Sequence, residues 1–448
     1  MKKIVALVLA AMMIVAAFAS CGGGGDTTSN SGSNNGSTAS SADNSTGFNV
    51  DAADFGEETN ASLKVWGPDA YVKLLKKQCD AFTKMYADKN IKINVVAQGE
   101  DTAATNMLSD ADAAADVFGF ASDQLSRLVS AGVIAPVATK YAEEITSSNL
   151  KAAVSASTLK NPETKKDTLY AFPETGNGYY LVYDKSVVPD KDAGSLEAIL
   201  ADCKKAGKKF IMDAGNGYYS CIFAFTGGLK IKGLEDDGLT QKFNKYDEKQ
   251  VVATLKAFSK LMHEYSGTFT SLDVANVSSG FVSTSKKKSV CGAGIDGNWN
   301  STPDQEALGK NFGASKLPTI KVDGKAQQMV SMYGYKMIGV NTASKFPRTA
   351  QILAYYLSSE ECQTQRCEEL GWSPTNNKVV ESDVAKKNVA ISALVAQSEF
   401  SVAQVNIAQT FWDPMGNLGN KLIAEDTNPD KYDFTKLFKD TVSNIKDE

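Results

Sequence analysis

Four carboxylates of the 448-residue chain, Asp69, Asp123, Glu174 and Asp296, fall in or beside stretches that read as loops: "VWGPDA", "FGFASDQL", "ETGNGYY" and "AGIDGNWN". A pair of carboxyl groups flanking a glycosidic bond can hydrolyse it. Asparagines, Asn177 and Asn216, stand at the two central loop positions where such a pair would be most useful, and this argues against hydrolysis. The same loops set rings beside hydrogen-bonding groups: Trp66 near Asp69, Phe120 near Asp123, Asn177 near Tyr179, Asn216 near Tyr218, and Trp299 after Asp296-Gly297-Asn298. A ring offers an apolar platform, and an amide or carboxylate holds polar groups at its rim. That combination suits binding better than bond breaking.

Other chemistries lack their residues. Histidine occurs once, His263 in "KLMHEYS", in an amphipathic stretch beside no candidate nucleophile. Serine or cysteine triads and zinc sites are therefore not expected. There is no Walker loop and no GxGxxG after a strand, so no cofactor and no metal are expected. Apart from Cys21, the six cysteines show no CxxC spacing. Cys362 and Cys367 in a helix would lie roughly 8 Å apart, too far to bridge. The remaining cysteines read as scattered buried thiols, although an exported chain could oxidise some pairs. The net charge is −5, or −7 once Lys2 and Lys3 are removed, with no basic block. Nucleic acid is not an expected partner.

The elements that would position these loops alternate. "SLKVW" is a strand, "AYVKLLKKQCDAFTKMYAD" an amphipathic helix, "IKINVVAQ" a strand, "DVFGFA" a strand, and "SDQLSRLVSAG" a helix that stops at Gly132. A second α/β set begins after about Lys185. Alternation of this kind predicts mainly parallel sheets flanked by helices, and the candidate loops then sit at strand carboxyl ends, where open α/β sheets bind ligands. Nearly 400 residues exceed one ordinary core, so two lobes are expected.

The N-terminus has a different logic. Lys2-Lys3, an apolar run from Ile4 to Phe18, and Ala19-Ser20-Cys21 have the layout of an export signal. The run, roughly 22 Å as a helix, is short for a membrane span. The Cys21 context resembles the lipobox of bacterial lipoproteins, which implies a signal peptide over 1–20 and lipidation of Cys21. Residues 22–47 are almost wholly Gly, Ser, Asn, Thr, Ala and Asp, a composition that cannot offset the entropy of ordering. A disordered tether over 21–60 is expected.

With these elements in place, the body from about Leu63 to Glu425 resembles the solute-binding proteins of carbohydrate ABC transporters, most closely the maltose- and maltodextrin-binding group. "LKVWGPDAYVKLLKKQCDAFTKMY", "ADVFGFASDQLSRLVSAGVIAPV", "YAFPETGNGYYLVYDKSVV", "AGIDGNWN" and "GYKMIGVNTASKFPRTAQILAYYLSSEE" carry the likeness in the correct order. The resemblance implies an α/β, two-lobed type II periplasmic-binding fold with a multi-crossing hinge. The N-terminal lobe would take 61–174 and 334–373, and the C-terminal lobe 175–333 and 374–448. It further implies a monomeric binding protein, without enzyme activity, that closes on a sugar such as a malto-oligosaccharide and delivers it to a permease. The chain would be anchored by lipid to the outer face of the cell membrane or held in a periplasm. Trp66, Asp69, Phe120, Asp123, Asn177, Tyr179, Asn216, Tyr218, Trp299 and Trp412 would line the cleft, the last as the stacking tryptophan of the maltose group. Trp372, by contrast, is expected to pack at a hinge crossing. The alternatives are a binding protein for a non-sugar solute and an anchored glycoside hydrolase.

Overall fold

In the computed structural model the described residues are 48–235, 240–285 and 288–446. The expected signal peptide, the expected lipidation position Cys21 and most of the expected tether lie outside them. Residues 48–60 do not extend the tether. A short 3-10 turn, Ala52–Phe55, buries Phe55 completely, and Val50 is buried too. With Phe48, whose ring lies 5.1 Å from those of Tyr355 and Tyr356, these side chains dock an otherwise mostly polar stretch on the N-terminal core.

The strands of the large sheet are β1 (Ser62–Gly67), β2 (Lys92–Ala97), β3 (Val117–Ala121), β4 (Phe172–Asp184), β5 (Lys209–Met212), β6 (Phe269–Ser271), β7 (Cys291–Gly297), β8 (Phe312–Ser315), β9 (Ser331–Val340) and β10 (Ser401–Ala403). They form one hydrogen-bonded path in the order β6-β5-β7-β4-β9-β3-β1-β2, with β8 on β4 and β10 on β9. Within each half the short strands pair in parallel, β1 with β2 and β3, and β5 with β6 and β7, while β9 on β3 and β4 on β7 and β8 are antiparallel. The halves meet through antiparallel pairs of the two long strands, β4 and β9. β4 bonds β9 along its first part, Phe172 to Gly178, and β7 along Tyr179 to Tyr183. One strand thus belongs to both halves.

Local sequence explains the elements. In β1, Leu63, Val65 and Gly67 are buried while Ser62, Lys64 and Trp66 alternate with them. Helix α1 (Asp69–Met85) buries Tyr71, Leu74, Leu75, Cys79 and Phe82, a stripe at helical spacing. Gly132 has φ +68°, the left-handed stop expected after the third strand's helix. β3, β7 and nearly all of β4 are buried along both faces, as strands sandwiched between helix layers must be. All six cysteines of the body are buried and free. His263 lies between the carbonyls of Ser259 and Ala424, outside the residues that line the cavity described below.

Helix α2 (Gly217–Thr226) packs against helix α4 (Trp412–Ile423), with helix α3 (Glu360–Leu370) lying in the N-terminal half. The α2–α4 approach depends on glycine. A Cβ on Gly419 would stand 1.9 Å from the Ala214 carbonyl oxygen, backbone that cannot swing away. Gly419→Ala is therefore expected to lower stability by about 1–3 kcal/mol, read as a lower urea midpoint at unchanged slope.

Candidate functional site

The loops at the carboxyl ends of β1, β2 and β3 and the start of α2 face one another across a cavity of about 600 Å³. The N-terminal half contributes Asp69, Glu100, Asp123 and Lys336. The C-terminal half contributes Asn216, Tyr218, Trp299 and Trp412. Asn177 and Gln404 lie at the floor between them.

Each lining side chain is placed by a local device. Asp69 is the first residue of α1, just after Pro68. Asp123 sits in the 3-10 turn Ser122–Gln124 that ends β3, and it is 6 % exposed. Asn216 caps α2, its Oδ1 accepting from the Tyr218 amide at 3.0 Å. Trp299 lies in a 3-10 turn, Asn298–Asn300, at the end of β7, and Trp412 opens α4. The Tyr218 ring is 6.2 Å from that of Trp299 and 6.4 Å from that of Trp412. Three rings therefore form one wall.

Seven of the ten residues singled out from the sequence line this cavity: Asp69, Asp123, Asn177, Asn216, Tyr218, Trp299 and Trp412. Three do not. Trp66 packs on the cluster containing Phe118 and Phe120. Phe120 is wholly buried, its ring 5.5 Å from Phe118, within a strand that has no open face. Tyr179 is also wholly buried. Its hydroxyl donates to the Tyr218 carbonyl at 2.9 Å and accepts from the Met332 amide at 3.1 Å. It supports Tyr218 from behind instead of meeting the cavity. Of the carboxylates considered for hydrolysis, Glu174 and Asp296 are buried outside the lining, and Asp69 and Asp123 remain.

Other residues enter that the sequence does not single out. Glu100 and Asp101 follow β2, and their position at a strand's carboxyl end is a usable signal. Lys336 stands at a register shift between β9 and β4, a break in regular pairing of the kind that re-aims side chains. Gln404 follows a three-residue strand in the C-terminal tail and carries no signal. Trp372, expected to pack, is 3 % exposed and rests on Tyr71 at 5.5 Å, yet it also walls the cavity. Its indole nitrogen has no hydrogen-bond partner among the described residues.

Burial dominates the electrostatics. It lifts the Asp123 carboxyl to about 6, with the nearby Lys336 charge opposing the rise. It also raises Glu100, again against Lys336, whose Nζ lies 3.4 Å from a Glu100 oxygen. Behind the Trp299 turn, Ser278 Oγ bridges Asp304 at 2.6 Å and Asp296 at 3.3 Å, and both carboxyls are wholly buried. Burial brings Asp304 to about 7 despite the Ser278 bond, and burial plus the Asp304 charge push Asp296 well above the usual range. A raised carboxyl contributes stability that is complete below its unfolded pKa and lost as pH rises through the folded one. Stability is therefore expected to fall between about pH 4 and pH 7, and Asp304→Asn should remove about 1.4 kcal/mol per pH unit of that slope. Urea midpoints at four pH values check it.

Geometry and chemistry define a cleft protein that grips a solute between two α/β halves. Residues 77–393 match the bacterial extracellular solute-binding protein family, and the chain belongs to that family. Its members bind extracellular solutes, and the fold is the two-lobed type II arrangement. Similar solved structures include a maltodextrin-binding protein, MalE1, from L. casei BL23, solved without ligand, at 24 % identity and TM-score 0.69, covering 87 % of this chain and 99 % of that one. A structure with acarbose is 27 % identical with TM-score 0.73, covering 86 % of this chain and 98 % of the other. The maltose-maltodextrin binding protein of Alicyclobacillus acidocaldarius is 20 % identical with TM-score 0.68, covering 86 % and 99 %. No curated protein matches the chain.

Proposed function

We propose that the cleft captures an oligosaccharide of the malto-oligosaccharide kind and delivers it to the transmembrane subunits of an ABC importer. The observation that carries this reading is the wall of Tyr218, Trp299 and Trp412 facing amides and carboxylates across one cavity. A pyranose has a C–H patch on each face and hydroxyls around its rim. Rings take the faces, and Asn177, Asn216, Asp69 and Asp123 take the hydroxyls. A volume of about 600 Å³ suits a bound solute of this size. The names of the similar structures, maltodextrin-binding proteins and an acarbose complex, point to the same ligand class. Lobes of 61–174 with 334–373 and 175–333 with 374–448 would close about β4 and β9. The exported chain would be held at the membrane through lipid on Cys21.

The experiment is tryptophan fluorescence titrated with maltose through maltohexaose, alongside spermidine and a peptide pool. A saturable spectral change with at least one malto-oligosaccharide is expected. Saturation by a non-sugar alone would replace the reading with a different solute. Release of shorter sugars at catalytic protein concentration would replace it with hydrolysis.

A further inference from the structure

Four cavity residues are joined in one line of hydrogen bonds across the floor. Asp123 Oδ1 accepts from Gln404 Nε2 at 2.9 Å. Gln404 Oε1 accepts from Asn177 Nδ2 at 3.1 Å, and the same Asn177 nitrogen donates to the Tyr218 hydroxyl at 3.0 Å. The line starts on a loop of the N-terminal half, passes the crossing strand β4 and ends on α2 of the C-terminal half.

Gln404 is held to this task by its backbone. Its amide donates to the Tyr333 carbonyl at 2.8 Å, and its carbonyl accepts from Ser122 Oγ at 2.6 Å. Gly334 makes room for it: a Cβ there would lie 2.7 Å from the Gln404 Cβ. The side chain is 5 % exposed with both ends of its amide bonded.

The direction of the line follows from chemistry. An ionised carboxylate only accepts, so the Gln404 amide must turn its nitrogen to Asp123 and its oxygen to Asn177. Asn177 must then present nitrogen to both neighbours. The Tyr218 oxygen accepts from it, and the phenolic proton is available to the cavity. We infer that Gln404 is a positioning residue that sets the hydrogen-bond polarity of the cleft floor, so that one ligand meets an acceptor at Asp123 and a donor at Tyr218. This rests on the saccharide reading and sharpens it: the ligand supplies a hydroxyl proton at the N-terminal wall and a hydroxyl lone pair at the C-terminal wall. A proton on Asp123 removes that constraint, because a neutral acid can donate to the Gln404 oxygen as well as accept from its nitrogen, and the direction of the line is then no longer fixed.

Charged and titratable groups around Asp123 are Lys336 from β9, Arg127 from the helix after β3, and Tyr218 from α2. Lys336 is shared with Glu100. None changes in a Gln404 variant. The Gln404 bond holds the Asp123 carboxyl down against burial, so losing that bond lifts it.

The test uses the full chain and Gln404→Met, similar in length and without the amide. Carbon-13 NMR of the ligand-free wild type should show Asp123 titrating near pH 6, with the Gln404 side-chain nitrogen shift moving at the same midpoint. Gln404→Met should raise the Asp123 midpoint by about half a unit or more. With maltotetraose as probe, the variant should bind about tenfold more weakly at pH 7.5, and the acid limb of its affinity profile should move upward by the same displacement. An unmoved Asp123 midpoint, or weaker binding with an unmoved acid limb, would overturn the inference. A Gln404 nitrogen blind to Asp123 titration in the wild type would also overturn it, even if the variant fails to fold. Should the wild type bind no saccharide, the proposed ligand class fails, while the ligand-free titrations still decide whether the relay exists.

Discussion

Arg366→Met is expected to lower stability by about 3–5 kcal/mol, the largest effect of any single change foreseen in this chain. Arg366 in α3 is 1 % exposed and lies 3.7 Å from the carboxylate of Glu174, itself 2 % exposed. Its Nη1 donates to the Tyr71 hydroxyl at 2.6 Å and its Nη2 to the Leu357 carbonyl at 2.8 Å. Removing the guanidinium takes away the cation that keeps the interior carboxyl ionised and also strands the buried Tyr71 hydroxyl and Leu357 carbonyl, and these losses together set the penalty. Burial already carries Glu174 to about 7, with Arg366 the main opposing influence. Without the arginine the carboxyl rises further and takes a proton at neutral pH. The loss should accordingly shrink at pH 5.5, where Glu174 is protonated in either case. The double variant Arg366→Met, Glu174→Gln should recover much of the stability at pH 7.5. Equal losses in single and double variants, independent of pH, would show that packing around Tyr71 and not the missing cation sets the effect. Glu174 precedes Thr175 on β4, and Trp372 leans on Tyr71, so this pair also anchors the floor and wall of the cleft.

Trp299→Ala should weaken binding of the best malto-oligosaccharide by roughly 2–3 kcal/mol, about 30- to 150-fold. The indole packs against core clusters of both halves. It lies over Gly297, where a Cβ would come within 2.2 Å of the ring. A platform so constrained loses little freedom when a sugar stacks on it, which makes its removal costly to affinity. Trp299→Phe should keep part of the affinity, because a flat apolar face survives. Calorimetric titration of both variants, with urea midpoints to separate folding from binding, provides the check. A change below about twofold for Trp299→Ala would place the ligand's main contacts on another wall.

Much of the cleft is legible in the amino-acid order alone. Period-two alternation marks β1 and helical spacing marks α1. A ring beside a polar group at the end of a strand marks Asp69, Asn216, Tyr218 and Trp299, because loops at carboxyl ends converge in any open α/β sheet. The ordered likeness of five segments to one family points to two halves and crossing strands.

Tertiary structure decides which face of each element meets the opening. Phe120 and Tyr179 sit on strands covered by helices on both sides, where alternation separates two faces but both are interior. Composition marks residues up to 60 as tether, yet Phe55 finds a pocket in the N-terminal core. Gln404 meets Asp123 across 281 positions of sequence, and Lys336 meets Glu100 from a different strand. Periodicity is a property of neighbours along the chain, whereas such meetings depend on how β4 and β9 cross and where the tail returns. That is why the rings and caps can be read from the sequence, and the relay beneath them only from the fold.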